Sequence, residues 1–382
     1  MTTKLTKRSF LGRDIHEESR TATPLELFYD LIFVVAIANV SAAFHHDFAA
    51  DHISHGIINF SMVFFAIWWA WNQYTWFASA FDNDSVRFRL ATLWQMVGAL
   101  VLAAGVEKAF NGDFTIVVIG YVIIRCSSIF MWLKVAKDNP PLKRTALRYA
   151  IGILICQIGW ITQSFFPFQY WIFIALVLAE FIVPYYAESH TQTSFHPEHI
   201  EERFGLLTII VLGESILASV HSFSSLIEHF SYDMLMVAIG CFLTLFGMWW
   251  LYFNSALECK LREKAAAFQW GYGHVIIFAA AAAIGAMVSV NVDVLTHHAK
   301  ISIGTANLGF AVAVAIYLFG LWFCQERIIG AGKPQSYFML LVALAAIGLG
   351  FLPNSVMTIG VLIVASVVYR QYHQLSHATS EA

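Results

Sequence analysis

Long apolar runs alternate with short polar segments along the whole chain. Each run is about 20 residues long, enough for a helix to cross about 30 Å of hydrocarbon. Twelve runs can be distinguished, at residues 25–43, 57–78, 88–106, 114–134, 146–165, 168–186, 204–222, 233–253, 270–291, 303–322, 336–352 and 354–370. Pro353 and Asn354 are almost all that separates the last two, so their count is left open. The pattern predicts an all-α polytopic membrane protein with about 12 transmembrane helices.

The composition changes this picture little. Hydrophobic residues make up 59% of the chain and charged residues 12%, whereas a soluble domain carries about 25% charged residues. The lipid bilayer is therefore an expected partner. The chain has no nucleotide-binding glycine loop and no nucleic-acid signature, so we expect no nucleic-acid partner. The five cysteines show no CxxC spacing, which predicts neither a disulfide framework nor a zinc site, and no cofactor is predicted.

The basic residues indicate the orientation, because cytoplasmic loops are enriched in Lys and Arg. If the spans alternate, 19 of the 22 lysines and arginines lie on one side of the membrane. Lys108 and Lys300 lie on the other side, and Arg125 lies inside a span. We therefore expect both termini to face the cytoplasm.

Part of the sequence recurs, which is a signal of repeated architecture. Three features match: Glu26-Leu27-Phe28 with Glu202-Arg203-Phe204, Asn39 with Ser215, and Trp68-Trp69 with Trp249-Trp250. The offset is 176 residues for the first two and 181 for the third. Twelve spans divide into two units of six, and an even number makes both units enter the membrane in the same direction. The sequence thus predicts two parallel six-helix repeats.

The repeat sets the predicted domain boundaries. They are a basic N-terminal cytoplasmic segment at 1–24, a first six-helix repeat at 25–190, a second at 191–372, and a C-terminal tail at 373–382.

Two acids, Glu26 and Asp30, open the first apolar run and share one helix face. One interpretation is an acidic site at the cytoplasmic mouth of a cation path. The other is a helix-start effect, because acids favour the positive N-terminal end of a helix and Thr23-Pro24 resembles a cap and first turn.

Glu214 lies in the middle of the seventh run, beside Gly213 and Ser215 and about 15 Å from either end. It is interpreted either as a mid-membrane site for a proton or cation, or as a buried acid that holds helices together. Gly213 would allow a helix or a ligand to approach closely.

Arg125 in the fourth run and Glu180 in the sixth are expected to form an ion pair, the least costly arrangement for two charges in a membrane. With Asp30 and Glu214, the interior would then hold more acids than bases. That balance favours a cation as the permeant species.

Other polar residues in the runs have simpler interpretations beside the functional one. His274 could titrate near neutral pH or serve as a hydrogen-bonded packing residue. Asn39 and Ser215 would be polar partners near the centres of the two repeats. The tryptophans that end the second and eighth runs are interpreted mainly as interfacial anchors.

Histidines are frequent outside the runs. Imidazoles with carboxylates can bind divalent ions or sense acid, but no tight metal spacing is present and no metal is predicted. The weak candidates are His45, His46, His52, His55, His196 and His199.

Two long motifs resemble a known family. The string from His196 to Ser215, with Glu202-Arg203-Phe204-Gly205 at its centre, and the string Glu26–Val34 are similar to motifs of the bacterial low temperature requirement A (LtrA) family. The segment Asp82–Gly105 fits as well, so the resemblance covers nearly the whole chain. It implies many membrane spans and a link to growth in the cold, but little mechanism.

Phe28-Tyr29-Asp30 is also distantly similar to the duplicated six-span endolysosomal potassium channel family. In that family a Phe-Ser-Asp motif begins the first, pore-lining helix. The second predicted repeat carries Phe204-Gly205-Leu206 at the matching position, with no acid. The likeness therefore concerns architecture and not selectivity.

Together these features predict a transporter or channel-like protein, rather than an enzyme, for a small cation or small solute. It would lie in the bacterial inner (plasma) membrane, and a homo-oligomer is left open. The predicted path comprises Glu26, Asp30, Asn39, Arg125, Glu180, Glu214, Ser215 and His274. One alternative is a membrane enzyme acting on lipid or a lipid-linked substrate, with His196, His199, Glu198 and Glu202 as candidates. The other is a non-catalytic membrane scaffold or sensor.

Overall fold

A computed structural model describes residues 9–14, 17, 20–223, 231–254, 264–329 and 334–381. These residues contain helices and short connections but no strand, which confirms the all-α fold. The helices are α1 Pro24–Ala49, α2 Ile53–Phe81, α3 Val86–Ala104, α4 Val106–Phe110, α5 Thr115–Asp138, α6 Lys143–Ser164, α7 Tyr170–Glu188, α8 Pro197–Phe223, α9 Tyr232–Phe253, α10 Lys264–Leu295, α11 Ile303–Leu321, α12 Arg327–Ile329, α13 Phe338–Leu349 and α14 Ser355–Glu381. Residues 1–8 of the predicted N-terminal segment lie outside the described part.

In the described part of the chain, 11 helices are long and apolar enough to cross a membrane. This confirms a polytopic membrane protein. In the remaining apolar run, predicted at 336–352, a 3-10 turn at Pro334–Tyr337 leads into the 12-residue helix α13, which is about 18 Å long at 1.5 Å per residue. A turn ends it early, with Asn354 at a φ of 55°. Among the described residues, length and apolar character thus give eleven spans, and the difference from the predicted 12 lies in the last two runs, whose count was left open.

The chain divides into two compact units. Unit 1 comprises Met1–Val40 and Met62–Phe204. Within it α3 and α5 lie so close that a Cβ at Gly98 would come within 2.8 Å of the Gly120 carbonyl oxygen. Helix α2 packs on α7 through Trp69 and Phe181, whose ring centroids are 4.7 Å apart. Packing as close as that of α3 on α5 depends on small residues at the contact.

A segment without regular secondary structure lies across one end of unit 1. We call its described residues, 9–14, 17 and 20–23, the N-terminal strap. Phe10 is fully buried and packs on Phe88, and its main-chain N–H donates to Asp138 at 3.2 Å. The Arg13 N–H donates to the Ala80 carbonyl oxygen at 2.9 Å. The strap therefore covers the end of the unit where α2 ends and α3 begins.

Unit 2 comprises Ser41–Ser61 and Gly205–Ala382. Helices α9 and α14 meet at Gly240 and Gly360, where a Cβ on Gly360 would lie 2.6 Å from the Gly240 carbonyl oxygen. The segment 41–61 is fastened to the end of α10, because His45 Nε2 lies 2.7 Å from Asp293 Oδ2.

Candidate functional site

Five titratable side chains lie together in unit 1 where α1 and α8 begin. We call them the Asp30 cluster: Arg20, Glu26, Asp30, His199 and Arg203. Arg20 is 6% exposed and the other four are 0% exposed. Charges buried this deeply are costly unless they are paired and hydrogen-bonded, so their partners decide what the cluster can do.

Asp30 is held by a two-pronged contact with Arg203. Arg203 Nη2 lies 2.5 Å from Asp30 Oδ1 and Nε lies 3.2 Å from Oδ2. Trp71 Nε1 also donates to Oδ1 at 2.7 Å. Bidentate, charge-assisted pairs of this kind are the strongest hydrogen bonds a carboxylate makes in a protein.

Glu26 has two sets of partners. One oxygen lies 3.1 Å from Arg203 Nη1, 3.2 Å from His199 Nε2 and 3.5 Å from Arg20 Nη2. The other accepts from the Thr23 N–H and hydroxyl, and Thr23 Oγ1 accepts from the Glu26 N–H. This reciprocal pattern is a capping box at the start of α1. The helix-start interpretation of Glu26 is thus confirmed, and the ion pairs are additional to it.

The N-terminal strap brings Arg20 onto this cluster. Arg20 Nη2 donates to the Ala78 carbonyl oxygen at 3.0 Å. Burial lowers the pKa of the Arg20 guanidinium, and the Glu26 carboxylate opposes that shift. An open acidic mouth was predicted at this end of the first span, but Glu26 and Asp30 are covered and paired with bases. The sequence predicted more acids than bases in the interior because it assigned Arg203 to a loop. Arg203 is in fact fully buried in α8.

A second set of side chains surrounds Glu180 of α7, and we call it the Glu180 cluster. Arg125 Nη2 lies 2.8 Å from Glu180 Oε2, which confirms the predicted ion pair. Trp69 Nε1 donates to the same oxygen at 3.0 Å. Tyr121 and Gln157 donate to Oε1 at 2.9 and 3.2 Å. Arg125 Nε and Nη1 find no hydrogen-bond partner among the described residues.

Helix α2 contributes an indole to each cluster. Trp69 and Trp71 are two residues apart and project about 200° apart around the helix, so α2 bonds to α7 on one side and α1 on the other. Trp68, Trp69 and Trp71 are at most 2% exposed. Their interpretation as interfacial anchors is wrong, because all three are buried and the indole N–H groups of Trp69 and Trp71 donate hydrogen bonds to buried acids. Trp249 and Trp250 of the second set are 46% and 48% exposed.

Asn39 and Ser215 both bond to a main-chain carbonyl on another helix. Asn39 Nδ2 donates to the Ala103 oxygen at 3.0 Å in unit 1. Ser215 Oγ lies 3.0 Å from the Ala281 oxygen in unit 2 and also contacts the Val211 oxygen within α8. Both side chains therefore join neighbouring helices.

His274 and Glu214 belong to unit 2. His274 is fully buried, with Nδ1 2.7 Å from the Trp270 carbonyl oxygen and Nε2 3.0 Å from the Tyr252 hydroxyl. It has the contacts of a packing residue. Glu214 is half-buried on α8. Its neighbour Gly213 faces open space, with nothing within 4 Å of a Cβ built there, so the close approach predicted at Gly213 is absent from the described residues.

The histidines predicted as weak metal candidates have separate partners. His45 pairs with Asp293 and His55 with Asp47, each at 2.7 Å. His196 Nε2 lies 3.1 Å from the Glu17 carbonyl oxygen, whereas His199 contacts Glu26. Among the residues that the structure describes, no three His, Cys, Asp or Glu side chains group in a way that could hold a metal. His46 and His52 join no such group.

Comparison with known proteins identifies the family. The model of the bacterial low temperature requirement A protein (LtrA) family matches residues 21–369. The chain belongs to the LtrA family. Both clusters of this LtrA-family protein lie within the matched residues, apart from Arg20. The protein is also similar to an uncharacterized protein, RA0937, of Rhizobium meliloti (strain 1021), at 28% identity over 289 residues, which cover 70% of this chain and 68% of that protein. No solved structure matches it significantly.

Proposed function

We propose that this LtrA-family protein transports a small cation or small solute across the bacterial inner membrane through unit 1. The observation that supports this is the pair of buried charge clusters in one membrane-embedded unit. An isolated charge costs about 2.5–3.5 kcal/mol at a helix centre on insertion scales, and such residues commonly mark transport paths. A stabilising role alone explains these charges poorly, because buried ion pairs often contribute no more to folding stability than apolar side chains of similar size.

The two clusters lie at different depths. Arg125 is ten residues from the start of α5 at Thr115, or about 15 Å along the helix. Asp30 is six residues from the opposite end, at Pro24 of α1, or about 9 Å. Acid–base pairs at successive depths give a cation or a polar solute two places to stop within the bilayer.

The pairs suggest how such a path would work. A proton or metal cation arriving at Glu180 would neutralise the carboxylate that holds Arg125. Arg125 already has two nitrogens without partners among the described residues, so a released guanidinium could bind an acceptor group on a passing solute. The same exchange at Asp30 would release Arg203. Protonation and solute binding would thereby be coupled at each stage.

The N-terminal strap supports a closed state at this end of the unit. It covers the Asp30 cluster and contributes Arg20 to it, so the strap has to move before anything can pass. We infer that the structure represents the form that is closed at the predicted cytoplasmic side.

We further propose that the chain consists of two parallel repeats, 25–190 and 191–372. The Asn39–Ala103 and Ser215–Ala281 hydrogen bonds support this, because the donors are 176 and the acceptors 178 residues apart. Asp30 has Leu206 as its counterpart at the same offset. Unit 1 would therefore carry the path, with Glu214 of unit 2 as a separate candidate.

A role in growth at low temperature is proposed from the family alone.

Flux through reconstituted protein tests the proposal. Proteoliposomes would be assayed for H⁺, K⁺ and Na⁺ movement and for uptake of small labelled solutes. We expect Glu180→Gln, which keeps the side-chain shape, to reduce flux at least tenfold. Glu107→Gln, at an exposed position of α4, should leave flux unchanged, and Glu214→Gln tests the second candidate. If the wild-type protein moves none of these species, transport is contradicted and a scaffold or sensor role is favoured.

A further inference from the structure

A cavity of about 160 Å³ lies in unit 1, at the end opposite the N-terminal strap. Its walls come from α2, the start of α5, the end of α6, the start of α7 and the turns between these helices. The main lining side chains are Phe65, Phe114, Tyr121, Trp160, Phe168 and Phe173. By the predicted orientation this end faces the outside of the cell.

The size of the cavity limits the ligand. A single water molecule needs about 10–15 Å³ of such space, whereas clefts for drug-sized ligands measure about 300–1,000 Å³. The cavity therefore suits a molecule with a handful of heavy atoms.

The walls are rich in aromatic rings. Trp160 and Phe173 meet edge-on at 5.2 Å, and Phe114 stacks on Phe168 at 4.8 Å. Phe168 also reaches Phe173, with centroids 6.2 Å apart. The faces of such rings carry negative quadrupole charge and attract cations, organic ammonium groups in particular.

The polar groups of the lining favour the same kind of ligand. Asp113 is the one charged residue among the described lining residues, and it accepts a hydrogen bond from the Thr115 N–H at 3.0 Å. Trp160 and Gln163 are 8% and 7% exposed, yet Trp160 Nε1 and Gln163 Oε1 have no hydrogen-bond partner among the described residues. A small ligand with a hydroxyl or amine could satisfy one donor and one acceptor.

We propose that this cavity binds a small organic ammonium ion and is the outer substrate site of the transporter. The second part of this inference rests on the proposed function. Tyr121 connects the two, because it lines the cavity and donates to Glu180 Oε1 at 2.9 Å. An ammonium ion held by the aromatic rings and Asp113 would thus be separated from the Arg125–Glu180 pair by a single side chain.

Binding to the purified full-length protein tests the site without any need for transport. Isothermal titration would compare choline with its neutral isostere, in which carbon replaces the nitrogen. We expect saturable choline binding, and binding of the isostere at least tenfold weaker, because the two differ only in charge. Trp160→Leu and Asp113→Asn should each weaken choline binding at least fivefold. Trp171→Leu is the matched control, because Trp171 lies nearby but is 68% exposed and outside the lining.

The outcomes separate this inference from the proposed function. Equal binding of choline and the isostere would overturn the inference and indicate an apolar site, such as one for a lipid chain. Absence of binding by choline, ethanolamine and tetramethylammonium would overturn it as well. Choline binding without flux of any species would support the site and contradict transport. If Trp160→Leu does not fold, Asp113→Asn still tests the site, because the Asp113 side chain is exposed and not part of the core.

Discussion

At the scale of single residues, every buried acid of the two clusters in unit 1 lies beside a base. Asp30 has Arg203, Glu180 has Arg125, and Glu26 has three bases around one oxygen. This pairing makes each base as important to the fold as its acid, because removing one partner leaves the other buried and uncompensated.

Arg203→Ala is expected to be strongly destabilising, by about 3–5 kcal/mol, because Asp30 loses its guanidinium partner and Glu26 loses the nearer of its two. Adding Asp30→Asn should recover part of the loss by removing one of the stranded charges. Thermal unfolding of the purified protein in detergent measures both effects. Arg89→Ala is the control, since its pair with Asp84 is about half exposed and should contribute no more than about 1 kcal/mol. A similar loss in the two arginine variants would contradict the interpretation.

Asp82, just beyond the end of α2, should make stability depend on pH. Burial raises the pKa of its carboxyl group, and Glu26 adds to that, while the Asp84 N–H, Arg20 and Arg13 oppose it. A raised pKa means that the ionised form destabilises the folded state above that pKa. Asp82→Asn keeps the bond from the Asp84 N–H and should raise the melting temperature at pH 7.5 by about 2 °C.

That gain should disappear as the pH falls below about 4, the usual aspartate pKa, because both proteins are then neutral at this position. Melting curves from pH 4 to pH 8 measure it. A gain that is constant with pH would mean that packing, and not ionisation, causes the difference.

Some of these residues could be predicted from the sequence and others could not. Arg125 and Glu180 stand alone inside apolar runs, so their pairing follows from the cost of charge in lipid. Arg203 precedes its apolar run by one residue and resembles a loop cation. It is buried because α8 begins at Pro197 and its polar first turns are covered by α1 and the strap, which is a tertiary effect. The bonds of Trp69 and Trp71 to acids on other helices, 111 and 41 residues away, leave no local signal either.

At the scale of helices, the α3–α5 contact depends on glycine. A Cβ at Gly120 would lie 2.6 Å from the Gly98 carbonyl oxygen and would collide with the Leu102 main chain. Gly120→Ala should therefore destabilise the protein by about 1–3 kcal/mol through overpacking. Gly213→Ala is the matched control, since that helical glycine has open space, and it should gain up to about 1 kcal/mol. Thermal unfolding that shows equal effects would contradict the close contact.

The strap is a second element whose anchoring can be tested. Phe10→Ala should cost about 3 kcal/mol of local stability, because Phe10 is fully buried against Phe88. Its neighbour Leu11 is 56% exposed, so Leu11→Ala should have little effect. Limited proteolysis measures release of the strap, and we expect faster cleavage near residue 13 in Phe10→Ala alone. Equal cleavage in both variants would mean that Phe10 does not anchor the strap.

The sequence predicted the apolar centres of the helices well and their ends poorly. Helix α2 was expected at 57–78 and occupies Ile53–Phe81. The helix continues past its apolar centre through exposed Ser54 and His55 at one end and buried Ser79 at the other. The strap was expected only as a basic tail. Its one strong apolar anchor, Phe10, stands in a polar context, and its partners Phe88 and Asp138 are far away in sequence.

At the scale of the whole molecule, the proposed repeat would pair helices of unit 1 with helices of unit 2 whose interiors differ. In that repeat Asp30 would correspond to Leu206. Trp71, which donates to Asp30, would correspond to Tyr252, which contacts His274. The proposed duplication would account for similar packing at Asn39 and Ser215, but it would not require the two units to share their chemistry. We therefore expect variants of His274 to change stability more than flux.

The membrane topology depends on the short helix α13. Eleven crossings would put the termini on opposite sides of the membrane, and twelve would put them on the same side. The distribution of Lys and Arg favours twelve, although α13, at about 18 Å, is shorter than about 30 Å of hydrocarbon. Local thinning of the bilayer and the flanking turns can make up such a mismatch.

Cysteine labelling in intact cells decides between these topologies. In a background without the five native cysteines, we expect Asn354→Cys to react with a membrane-impermeant maleimide, as Asn111→Cys should. Ser380→Cys should react only after permeabilisation, as Arg87→Cys should. If Ser380→Cys reacts from outside, α13 does not cross, and the predicted cytoplasmic C-terminus is wrong. The N-terminal strap would keep its place in either case, because its contacts are made entirely within unit 1.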